Sequence, residues 1–116
     1  MEEIKLTPTE EYHIEVENNN TYHELLTITV TKNKAILDKH KQRLARYKDS
    51  KRLEILRSLI INDWCDYEPN YNILVDKYKD YSKYDRKRYK TEIKQLSSIA
   101  HEYLFLIDTI DRLLTR

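Results

Sequence analysis

The pattern of apolar and polar positions is clearest in the last thirty residues. Tyr89, Ile93, Leu96, Ala100, Tyr103, Ile107, Ile110 and Leu114 recur in steps that alternate between four and three, and Ile99, Leu106 and Leu113 widen the stripe. Polar residues such as Lys94, Gln95, Ser98, His101, Asp108 and Arg112 fill much of the opposite side. This is a heptad-like amphipathic helix over 85–115, the longest element the sequence predicts.

Upstream, Tyr71, Leu74, Val75, Tyr78 and Tyr81 point in the same helical direction, and only Ser82 and Asp85 interrupt the stripe. Residues 71–115 therefore read as one very long helix or as two meeting at a kink. Ser82 followed three residues later by Asp85 favours the kink, because that spacing suits a capping box. Further back, the phase gives a different answer. At about 100° per residue, Ile36, Leu37, His40, Leu44 and Tyr47 cluster on one side of a helix, whereas Leu53, Ile55, Leu56, Leu59, Ile60 and Trp64 cluster nearly opposite. A break at Asp49-Ser50, both good caps, resolves the conflict. It predicts a helical hairpin over 31–67, with one helix at 31–48 and a second at 51–67 that Glu68-Pro69-Asn70 ends.

The N-terminal third alternates with period two. Tyr12, Ile14 and Val16 oppose His13, Glu15 and Glu17, Asn18-Asn19-Asn20 supplies turn residues, and Thr21–Val30 is rich in β-branched residues. These features predict a β-hairpin over 11–30. The expected fold class is α+β: one domain over 1–116, an N-terminal β-hairpin packed on a mainly α-helical body with a long C-terminal amphipathic helix. A helix over 85–115 would measure about 46 Å, longer than a compact domain of this size is wide. That length predicts self-association through Leu96, Tyr103, Ile107, Ile110 and Leu114, with a dimer as the favoured homo-oligomer.

Composition narrows the chemistry. The 116-residue chain has no glycine and two prolines, Pro8 and Pro69. Without glycine there is no P-loop, dinucleotide-binding fingerprint or nucleophile elbow, since each brings the backbone close to its ligand through a glycine. The single cysteine, Cys65, excludes an internal disulfide, and the four histidines show no metal-ligand spacing. No cofactor, metal or catalytic residue is expected, and the chain is expected not to be an enzyme. No apolar run approaches the roughly 18 residues of a membrane span, and Met1-Glu2-Glu3 is unlike a signal peptide. The expected location is cytoplasmic, or host-cytoplasmic for a viral protein.

The net charge of +1 hides a partition. Residues 1–24 hold seven glutamates against Lys5, or −6, whereas residues 31–57 hold ten Lys/Arg against three acids, or +7. The acidic end offers Glu11, Glu15 and Glu17 to a basic protein partner. Lys39, Arg43 and Arg46, with Lys83, Tyr84, Lys87 and Arg88, offer a face to nucleic acid or an acidic partner. Tyr71, Tyr78, Tyr81 and Tyr89 fall on the apolar stripe as core residues, which leaves Tyr84 as the exposed aromatic. Lys, Ile, Asn and Tyr are abundant and there are only three alanines, the residue usage of an AT-rich genome. The expected function is that of a small non-enzymatic interaction protein acting by surface complementarity, such as a phage or mobile-element inhibitor of a host macromolecule like a defence nuclease. The alternative is a nucleic-acid-binding regulator that uses the basic helical faces.

Overall fold

The computed structural model describes residues 19–116, and among these there is helix but no strand. Three long helices follow one another: α1 (Asn19–Arg46), α2 (Ser50–Asp80) and α3 (Lys83–Leu114). Long-range contacts fix the directions. Tyr22 bonds to Leu74, Tyr67 to Leu96, and Asn33 to Tyr103, so α2 runs antiparallel to the other two. Both α1 and α2 pack more extensively on α3 than on each other.

The expected β-hairpin over 11–30, and with it the α+β class, is corrected: Thr21–Val30 forms the first turns of α1. Residues 11–18, which hold the other predicted strand, lie outside the described residues. Two periodicities overlap in this stretch. Alternation puts Tyr22, Leu26, Ile28 and Val30 on one face, but it leaves Leu25 on the wrong one. The helical phase turns Tyr22, Leu25, Leu26, Thr29 and Val30 inward together and leaves Ile28 exposed, as the burial shows. A β-branched residue costs a helix up to about 0.7 kcal/mol. Each large apolar side chain carried into the core returns about 1.5–3 kcal/mol, so burial decides.

The break at Asp49-Ser50 is where phase predicts it. The Asp49 carboxylate accepts a hydrogen bond from the Arg52 amide at 3.1 Å and caps α2. The predicted end of that helix near 67 is corrected, because α2 continues through Pro69 to Asp80. Trp64, Tyr67, Tyr71, Leu74 and Tyr78 keep one phase across the proline, and all pack in or against the core. Pro69 lies roughly opposite that stripe, where the carbonyl it leaves without a helical partner can turn to water. Between α2 and α3 the chain breaks at Tyr81. The Ser82 hydroxyl accepts from the Asp85 amide at 3.2 Å and donates to the Asp85 carboxylate at 3.1 Å.

The stripe on α3 is covered within the chain. Leu96, Tyr103 and Ile110 are fully buried, and Ile107 and Leu114 are partly buried against the same core. The cover that the sequence reading sought in a second copy comes from α1 and α2. At 28 and 31 residues against 32, these helices nearly match α3 in length, so no bare segment needs to project.

Candidate interaction surface

The inward stripe of α1 reads Tyr22, Leu26, Thr29, Asn33, Leu37, His40, Leu44 and Tyr47, with three polar residues buried among the apolar ones. Asn33 and His40 each bond to a neighbouring helix. Tyr103 donates to Asn33 Oδ1 at 2.7 Å, while Asn33 Nδ2 donates to the Thr29 carbonyl at 2.8 Å. His40 Nε2 lies 2.6 Å from Asp63 on α2. Its Nδ1 is buried with no hydrogen-bond partner among the described residues, the arrangement expected of the tautomer in which Nε2 donates to the carboxylate. The His40–Asp63 pair ties α1 to α2, with the histidine inside and the carboxylate at the edge of the core.

The tyrosines serve the same end. Tyr22 donates to the Leu74 carbonyl at 2.7 Å and Tyr67 to the Leu96 carbonyl at 2.5 Å. Tyr22, Tyr81 and Tyr89 form one ring cluster and Trp64, Tyr67, Tyr71 and Tyr103 another. Burial first, and neighbouring tyrosines second, push the phenols of Tyr22 and Tyr67 well above their ordinary value of 10. Tyr103 is raised by burial and then by Asp63 and Asp66. All three are neutral donors at physiological pH.

Outside the core, the cations of α1 fall on two flanks. Lys41, on the flank toward α3, pairs with Glu102 at 2.8 Å, and His23 on that flank meets Glu92 at 3.3 Å. The opposite flank carries Lys32, Lys39, Arg43 and Arg46, and among the described residues none of these four has an ion-pair partner. It borders an open groove of about 400 Å³ between α1 and α2, lined by Lys32, Asn33 and Ile36 on one side and Asp63, Asp66 and Asn70 on the other. Ile28 lies on the α1 margin of this face. Ile55 and Leu59, 55% and 42% exposed, lie on the α2 margin. The sequence reading did not single out these three residues. The apolar pattern groups Ile55 and Leu59 with the inward residues of α2, yet they sit about 80–120° from the centre of that stripe, a phase that places them on its flank.

The second basic group is elsewhere. Tyr89 stacks edge-on against Tyr22, with ring centroids 4.9 Å apart, so the start of α3 is level with the start of α1. Lys39–Arg46 is then about 26–36 Å further along the bundle. Lys39, Arg43 and Arg46 therefore do not form one continuous face with Lys83, Tyr84, Lys87 and Arg88. Tyr84 is 77% exposed, among exposed Lys83, Lys87 and Arg88. Glu11, Glu15 and Glu17, the predicted acidic partner surface, lie outside the described residues.

Among the described residues no cluster of metal-ligating side chains forms, and no helix is long and apolar enough to cross a membrane. Cys65 is exposed and lines the groove. The described residues form an antiparallel three-helix bundle, with a basic-and-apolar α1/α2 face whose Lys32, Lys39, Arg43 and Arg46 have no ion-pair partner among them. No family model, curated protein or solved structure matches the chain.

Proposed function

We propose that the chain is a non-enzymatic interaction protein that works by surface complementarity, with the α1/α2 face as its working surface. The observation that carries this reading is four cations of one α1 flank with no ion-pair partner among the described residues, beside three exposed aliphatic side chains, Ile28, Ile55 and Leu59. Stability alone favours neither: exposed like charges repel, and exposed isoleucine and leucine gain nothing until covered. The acidic N-terminal end and the AT-rich residue usage are what a phage or mobile-element factor occupying a host macromolecule, a defence nuclease for example, would carry. A photo-crosslinking residue at position 59, compared with one at position 98, tests the reading in cells. A discrete adduct from position 59 alone is expected, and equal or absent labelling from both positions would defeat it.

A second reading has its own support. Lys83, Arg86, Lys87 and Arg88 crowd the first turns of α3, whose amide dipoles disfavour positive charge by about 0.3–1 kcal/mol per residue near the end. Cations held against that cost, around an exposed Tyr84, suit a phosphate backbone with a stacked base. Changing Lys87 and Arg88 to glutamate should leave helicity intact. It should abolish low-salt binding to a short DNA or RNA and flatten its salt dependence, and an unchanged affinity would remove this alternative.

A further inference from the structure

We propose that the groove between α1 and α2 receives a single acidic amphipathic helix from another protein, which completes a four-helix bundle. This rests on the interaction reading above and names the partner. Two antiparallel helices leave between them the seat that a further helix takes in a four-helix bundle. On α1 the margin runs Ile28, Lys32, Ile36, Lys39, Arg43 and Arg46, spaced four, four, three, four and three residues apart. That row is straight along the helix and about 27 Å long, which matches some five turns of a partner. On α2 the facing margin offers Ile55 and Leu59 one turn apart, both exposed.

The chemistry of the two margins selects the occupant. Aliphatic side chains call for an apolar stripe, and the α1 cations for carboxylates on one side of it. Nucleic acid fits poorly, because its phosphates would lie against Ile55 and Leu59, and Asp63 and Asp66 also face the groove. A second copy docked by a two-fold axis would return the same Lys39, Arg43 and Arg46 to the interface, where like charges repel. A helix carrying leucine on one face and glutamate only on the flank that meets α1, with no carboxylate toward Asp63 and Asp66, meets these conditions.

The test uses the full chain and a synthetic 18-residue helical peptide with leucines on one face, glutamates along one flank of it and neutral polar residues elsewhere, together with its lysine counterpart. Binding is read by fluorescence anisotropy. A nitroxide on Cys65, the single cysteine and a groove-lining residue, locates the peptide by broadening its NMR signals. We expect the glutamate peptide alone to bind and to be broadened. Affinity should fall at least tenfold in R43E/R46E, and also in L59E, with unchanged helicity by circular dichroism. No binding, binding without broadening, or indifference to both variants would overturn the proposal. So would equal displacement by an 18-base-pair duplex, which would give the groove to nucleic acid. Binding that emerges only when Glu11, Glu15 and Glu17 are changed to lysine would give the groove to the chain's own N-terminal residues. A failed peptide with a persistent crosslink from position 59 would reject the helix and leave the interaction reading standing. Loss of the crosslink would reject that reading itself.

Discussion

Raising the pH tests the core as a whole, through Tyr22, Tyr67 and Tyr103. Each is fully or almost fully buried, each donates its phenol proton to an acceptor on another helix, and each is held well above its ordinary value of 10. In the unfolded chain the three phenols ionise near 10, whereas in the bundle they keep their protons. The unfolded state therefore binds fewer protons above that pH. Stability is then fully present below about pH 10 and is lost as the pH rises towards the folded values. Three protons give a slope of about 4 kcal/mol per pH unit, a loss of about 4 kcal/mol at pH 11 and about 8 at pH 12. A domain of ordinary stability, about 5–15 kcal/mol, should unfold cooperatively in that range. Tyrosinate absorbance and helical ellipticity followed together would show it. Tyr22, Tyr67 and Tyr103 should ionise only as the helices melt. Tyr67→Phe should lower the slope by one proton, about 1.4 kcal/mol per unit, while the Leu96 carbonyl keeps its place in α3. If Tyr22, Tyr67 and Tyr103 ionise near pH 10 with the helices intact, the buried network is wrong.

Other consequences follow from particular contacts. Pro69→Ala restores an amide in the interior of α2 and should stabilise the fold, by up to about 3 kcal/mol less the entropy regained by the unfolded chain; a lower melting temperature would mean the chain turns there. Leu96→Ala removes a fully buried side chain and should cost about 2–5 kcal/mol in denaturant unfolding, and a cost below 1 would place Leu96 outside the core. A double-mutant cycle on His40→Ala and Asp63→Ala should return a coupling of about 0.5–3 kcal/mol, and strict additivity would deny the tie between α1 and α2. Ser82→Ala should cost about 1 kcal/mol by uncapping α3, with no loss expected if α2 and α3 were continuous.

The sequence alone determined the break at Asp49-Ser50 and the stripe of α3, and it favoured, without fixing, the break at Ser82. Asp49 and the Ser82/Asp85 pair are local signals, since a cap is a bond between residues three apart and needs no distant partner. The stripe from Tyr89 to Leu114 is legible because a single period runs uninterrupted. The basic row at Lys39, Arg43 and Arg46 was legible as charge, but its open setting was not, because it depends on which flank meets Glu102 and which borders the groove.

Tertiary structure alone decided the rest. Thr21–Val30 satisfies two periods, and only burial against Leu74 and Tyr89 selects the helix. Polar Thr29, Asn33 and His40 interrupt the α1 stripe in sequence, yet Tyr103 and Asp63 give Asn33 and His40 the partners that let them lie inside. Pro69 is a stop signal in any isolated helix, at a cost of about 3 kcal/mol. Tyr67, Tyr71 and Leu74 must all reach the same core, and burying them outweighs that cost. Local chemistry sets where a helix can begin. How far it runs, and what it covers, is set by the surface it can bury.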